Sequence, residues 1–148
     1  MRRPSRVTRI VRIGLSLALL VFFAAVPRAW LSTNDVTTGK SPEYPDLQDR
    51  RYDFPPDETV AVADQVARRI PRWQVVSTDK ARRTVQVLIT TAFGGFKDDM
   101  TILILPEGKN SRVTIRSHSR IGRSDLGENA RHIRALQSAM DTKLPRLP

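Results

Sequence analysis

Hydrophobic positions change period along this chain, and each change marks an element. Residues 13–26, from Ile13 to Val26, carry no charged side chain. Further on, Val60, Ala63, Val66 or Ala67, and Ile70 recur every three or four positions. That spacing predicts a helix over roughly 57–70, with Asp57 as N-cap, Glu58 in the first turn and Pro71 as the stop. The period then falls to two. Strands are predicted from Trp73 to Thr78, Thr84 to Ala92, Met100 to Leu105 and Arg112 to Ser119, with short turns that imply antiparallel hairpins. A last helix starts near Asp125, with Glu128 three positions on as a partial capping box and Leu126, Ile133, Leu136 and Met140 as its buried stripe. The fold class read from this order is α+β: two layers, an antiparallel four-stranded meander flanked by an N-terminal and a C-terminal helix (α-β-β-β-β-α), both on one sheet face.

The uncharged stretch sets the cellular context. Arg2, Arg3, Arg6, Arg9 and Arg12 precede it, so the basic flank stays cytoplasmic and the rest faces the periplasm or exterior. Fourteen helical residues rise about 21 Å against a hydrocarbon core of roughly 30 Å. Extension through Trp30 and Leu31 nearly closes the gap. The expectation is a membrane-spanning anchor over 13–31, held in the inner membrane as a single pass. The alternative is a signal segment, with secretion to the periplasm after cleavage. Ala24-Ala25-Val26-Pro27-Arg28-Ala29 offers no clean cleavage site, because Pro27 and Arg28 crowd it. The chain then divides into a basic cytoplasmic N-terminus (1–12), the anchor or signal (13–31), a linker or strap (32–56) and an α+β domain (57–148). Pro42, Pro45, Pro55, Pro56 and Gly39 punctuate the strap, while Tyr44, Leu47, Tyr52 and Phe54 suggest that part of it packs down.

Charge narrows the partners. The chain has 25 Lys and Arg, 15 Asp and Glu, and a net charge of +10. Six of those bases and none of the acids lie before residue 32, so nineteen bases against fifteen acids leave +4 on the remainder. That is not the balance of a dedicated nucleic-acid binder, and few aromatics are present for base stacking. With no cysteine, disulfides, thiolate metal sites and cysteine nucleophiles are excluded. About 117 residues follow Leu31, enough for one domain with a real core.

Candidate chemistry follows from the strand phase. Val113 and Ile115 share one side, while Arg112, Thr114, Arg116, His118 and Arg120 share the other. An open face with that arginine stripe suits an anionic ligand, a lipid or an acidic partner, and Arg112, Arg116, Arg120 and Arg123 are the candidate ligand-binding residues. The alternative is a solvated face whose arginines pair with nearby acids. Arg120 to Asn129, with Gly122, Ser124 and Gly127, reads as a strand-to-helix turn in which Asp125 and Glu128 already serve the backbone donors. Asp98 and Asp99 point to opposite sides of an extended chain, a poor acid–base pair, and one of them pairs with Arg116 or Arg120. Asp98, Asp99, His118, Asp125 and His132 match no metal-ligand spacing, and no catalytic or cofactor motif is present.

The segments Phe93-Gly94-Gly95-Phe96-Lys97-Asp98-Asp99 and Ile115 to Asn129, with Arg131 and Ile133, resemble the family called domain of unknown function 1499. Asn34-Asp35-Val36-Thr37-Thr38 resembles that family's lead-in, so the similarity covers roughly 34–144. Its motif includes Phe96, Asp98, Asp99, Ser119, Gly122, Asp125, Gly127 and Asn129 as structural positions. His118 stands where the family usually carries a small residue. The resemblance implies bacterial or plastid origin and frequent membrane attachment, and implies no activity. The resulting expectation is a membrane-anchored envelope protein with a non-enzymatic binding or scaffold domain, without cofactor or metal. The alternative is an envelope hydrolase using Asp98, Asp99 or Asp125 with Arg116 or Arg120.

Overall fold

The structure is a computed structural model of the 148-residue chain and describes residues 33–92 and 94–148. The anchor or signal segment at 13–31 lies outside the described residues. Among the described residues no helix is long and apolar enough to cross a membrane.

Two short strands open the domain, β1 (Asp35–Thr37) and β2 (Arg50–Tyr52). Helix α1 (Pro56–Arg69) follows, then β3 (Trp73–Asp79), β4 (Thr84–Thr90), β5 (Lys97–Glu107), β6 (Asn110–Ser119) and helix α2 (Glu128–Asp141). β3 to β6 form the expected antiparallel meander. The order across the sheet is β1-β6-β5-β4-β3, and β2 pairs the other half of the same β6 edge.

Alternation decides the layers. Val85, Val87 and Ile89 of β4, Met100, Ile102 and Ile104 of β5, and Val113 and Ile115 of β6 all point to one face and are buried. The helices cover that face. α1 brings Val60, Ala63, Val66 and Ala67, and α2 brings Ala130, Ile133, Leu136 and Met140. Each such side chain taken fully from water contributes about 1.5–3 kcal/mol for the larger aliphatics. Val76 escapes the alternation because the β3–β4 register shifts between Val75 and Ser77, leaving it 62% exposed.

Four details differ from the sequence reading. The sheet has six strands because the strap supplies β1 and β2, and its Tyr44, Leu47 and Tyr52 are buried in the core. α1 begins one residue early, with Pro56 at its first turn, and Asp57 pairs with Arg83 at 2.6 Å instead of capping. β5 is longer than predicted and starts at Lys97. Leu126 is not part of the buried stripe. It precedes α2, has φ 54° and is 56% exposed.

Candidate functional site

The arginine stripe forms as the alternation requires, but acids meet it. Arg116 grips Asp35 of β1 with two nitrogens, Nη2 at 2.6 Å and Nε at 3.0 Å. Arg120 grips Asp99 with Nε and Nη2, each at 2.7 Å. Arg112 lies 3.1 Å from Glu107 and 3.7 Å from Asp49. These hydrogen-bonded guanidiniums of Arg116 and Arg120 hold the Asp35 and Asp99 carboxyls below the usual carboxylate range. Arg123 is exposed and makes no ion pair among the described residues. His118 stands 3.9 Å from the Asp99 carboxylate.

Asp98 goes the other way. Its neighbour Asp99 faces the open side, so Asp98 faces the helices and is 1% exposed. Neither carboxylate oxygen has a well-formed hydrogen bond, and the Ser119 hydroxyl nearby gives it only partial support. Desolvation pushes its pKa up. The Ser119 hydroxyl and the His132 ring favour the charged form without offsetting that burial. His132 of α2 places Nδ1 3.5 Å from Asp98 Oδ2 and Nε2 3.6 Å from Glu128. Its Nδ1 is buried without a hydrogen bond, and the Trp73 ring meets it edge-on at 6.0 Å. Burial lowers the His132 pKa against the pull of both carboxylates. Both groups of this pair are thus driven toward their neutral forms.

The two carboxylates address opposite nitrogens of the imidazole, so they do not converge on a common point. Among the described residues no three His, Asp or Glu side chains could hold a metal ion.

Asp98 lines a cleft of about 450 Å³. Thr91, Phe96 and Asp98 form one wall, Ser119 to Leu126 a second, and Glu128 and Arg131 of α2 the third. Its surface is mostly carbon. A smaller hollow of about 260 Å³ is lined by His132 together with Trp73, Ile89 and Ala135. Among the described residues four large apolar side chains are strongly exposed, and three of them, Phe96, Ile121 and Leu126, belong to the first cleft. Such clustering is unusual for a solvated surface.

Local sequence builds these walls. Gly94 has φ 75° and lies under the Phe96 ring, where a Cβ would overlap the ring. Asp125 accepts Gly127 N and Asn129 N, each at 2.8 Å, and so caps α2 from two residues upstream of Gly127. Gly127 at φ 80° turns the chain into the helix. Leu126 is held left-handed just before it, a conformation that costs about 1–2 kcal/mol for a side chain of this kind. Asn129 pins the assembly from below. It is fully buried, accepts the Ser117 hydroxyl at 2.6 Å, and donates to Asn34 O at 2.9 Å and Ser119 Oγ at 3.0 Å. Asn34 in turn donates to Gly122 O.

A family model described as "Protein of unknown function (DUF1499)" matches residues 26–140. The chain belongs to the DUF1499 family. No curated protein matches its sequence. Among solved structures, the DUF1499 chain overlaps the crystal structure of the di-domain ARO/CYC BexL from the BE-7585A biosynthetic pathway at 15% identity and TM-score 0.45. That overlap covers 74% of this chain and 43% of the other, so the chain spans less than half the length of that relative. Ara h 8.0201 overlaps at 12% identity and TM-score 0.40, covering 72% of this chain and 97% of the other. A third structure, TTHA0849 from Thermus thermophilus, overlaps at 15% identity and TM-score 0.33, covering 73% and 87%. Similarities this distant do not bear on the site.

The motif positions of the sequence reading fall into three groups. Phe96, Asp98, Ser119, Gly122 and Asp125 line the cleft, whereas Asp99 faces the open side. Gly127 and Asn129 hold the turn beneath. The sequence marks His132 only as a conceivable metal ligand. Its one signal there is its place four residues after Glu128, beside the buried stripe.

Proposed function

We propose that this domain is a non-enzymatic binding module, anchored at the membrane by its N-terminal segment, that takes an amphiphile in the Asp98 cleft. The single observation that carries this reading is a buried carboxyl, supported by no more than a poorly aligned Ser119 hydroxyl, that lines a carbon-walled cleft. A buried polar group left short of partners costs free energy, and a ligand hydroxyl, amide or ammonium would relieve it. The apolar walls and rim suit an acyl or other hydrocarbon portion. Exposed Arg123, in the cleft's own loop, suits an anionic headgroup.

The cleft is preferred to the arginine stripe for an electrostatic reason. An anion on the open face must displace Asp35 from Arg116 or Asp99 from Arg120, replacing one paired charge by another. Hydrolysis by the same residues is disfavoured on geometry. Asp98 lies on the sheet face opposite Arg116 and Arg120, and Asp99 is already held by Arg120 in a two-nitrogen ion pair.

The test is native mass spectrometry and lipid extraction of the full chain purified in polymer-excised membrane discs. Wild type is expected to retain an amphiphile, and a cleft-filling Ser124→Trp variant with an unchanged circular dichroism spectrum is expected to lose it. Identical retained material in both would refute the cleft as the binding site.

A further inference from the structure

The mouth of the cleft and the entry of the chain into the domain are the same place. Thr33 O accepts Asp125 N at 3.3 Å, and Asn34 O accepts Ser119 N at 2.9 Å. Asn34 Nδ2 donates to Gly122 O, and Asn129 Nδ2 returns a bond to Asn34 O at 2.9 Å. The first two residues described are therefore stitched to the loop that carries Ile121 and Leu126. The uncharged N-terminal stretch and its extension run to Leu31, two residues before Thr33, which is at most about 7 Å of chain. Whatever surface that stretch enters, the mouth is tied beside it.

The mouth is also dressed for such a surface. Ile121 is 73% exposed, and Phe96 and Leu126 are each 56% exposed. Leu126 is held outward in a left-handed conformation that adds nothing to the core. Two exposed cations neighbour these residues along the chain, Arg123 between Ile121 and Leu126, and Lys97 after Phe96 at the open-face edge. Lys97 donates to the neutral Thr90 hydroxyl at 2.6 Å, and neither Lys97 nor Arg123 makes an ion pair among the described residues. Apolar tips beside exposed cations match the boundary between acyl chains and phosphates.

We propose that the cleft mouth rests on a lipid bilayer. Phe96, Ile121 and Leu126 enter the interface, Lys97 and Arg123 meet lipid phosphates, and the cleft opens toward the acyl chains. An amphiphile then passes between bilayer and cleft without crossing water. This inference rests on the membrane attachment proposed above, and its test separates the two.

The chain has no cysteine, so single-cysteine variants are clean reporters. Ile121→Cys and Leu126→Cys probe the mouth. Lys109→Cys is the reference, because its side chain is 85% exposed at the β5–β6 turn, the opposite end of the strands. Each full-length variant carries an environment-sensitive fluorophore and is reconstituted into phosphatidylcholine–phosphatidylglycerol vesicles. Blue-shifted emission and quenching by spin-labelled lipid at Ile121 and Leu126, with iodide quenching at Lys109, is the expected result. If the protein floats with the vesicles but iodide reaches all three sites equally, the bilayer-facing mouth is wrong and the anchored module stands. If the protein does not float with the vesicles, both fall.

Discussion

Asp98 and His132 stand 3.5 Å apart, carboxylate Oδ2 to ring Nδ1, and neither atom has a well-formed hydrogen bond. Their side chains are 1% and 12% exposed. A buried acid and base this close would normally form a tight charged pair. Here burial dominates both, raising the pKa of the acid and lowering that of the base. Asp98 lines one hollow and His132 the next, and the consequences of their burial are measurable.

Asp98→Asn keeps the shape and removes the carboxyl. The folded pKa of Asp98 lies above its unfolded value, so its charge opposes folding fully above the folded pKa and not at all below the unfolded value near 3.8. Asp98→Asn is expected to be more stable than wild type at pH 7, by on the order of 1 kcal/mol. That advantage shrinks as the pH approaches 4. Urea denaturation across pH checks this, and an Asp98→Asn variant less stable at pH 7 would mean that the charged carboxylate is supported.

His132 acts with the opposite sign. Its folded pKa lies below the unfolded value of 6.5, so folding favours the neutral ring. Stability from this residue is full above 6.5 and is lost as the pH falls from there through the folded pKa. His132→Gln is expected to flatten that part of the stability curve. The histidine C2 proton resonance reads the titration directly, and a midpoint above 6.5 would contradict the reading.

Asn129 holds β1, β6 and α2 together through one amide. Asn129→Ala leaves the Ser117 and Ser119 hydroxyls short of a partner in a buried place. A loss of about 2–3 kcal/mol is expected, with faster amide exchange at Val36 and Thr38 than in the meander. Equal acceleration throughout would show that the junction has no stability of its own.

Arg116 and Asp35 form a two-nitrogen pair across β6 and β1, but both side chains are about half exposed. Arg116→Ala is expected to change stability by less than about 1 kcal/mol. Amphiphile retention should match wild type. Loss of bound amphiphile in Arg116→Ala, with the fold intact, would move the ligand to the open sheet face.

The meander was legible because one face of each strand is apolar. Alternation placed Arg112, Arg116 and His118 on the open side and split Asp98 from Asp99. It also anticipated that one of those aspartates pairs with an arginine of the stripe, and Asp99 does so with Arg120. β1 and β2 were not legible as strands, since three residues each among prolines and a glycine carry no period. They exist because β6 leaves an open edge that Val36 and Tyr52 can seal. Leu126 sits seven residues before Ile133, the right spacing for a helical stripe, and only the left-handed turn at Leu126 and Gly127 removes it. The cleft was hidden for a different reason. Thr91 to Asp98, Ser119 to Leu126 and Glu128 to Arg131 meet only after the sheet has formed, and no local pattern encodes an empty volume.

Photo-crosslinking with a diazirine-bearing fatty acid tests the central claim most directly. The full chain in native-like membranes is irradiated, digested and mapped by mass spectrometry. Adducts concentrated on Phe96, Ser119, Ile121 and Leu126, and lost in Ser124→Trp, are the predicted result. Adducts centred on Arg112 and Arg116, or none above the level at Lys109, would contradict a binding cleft over Asp98.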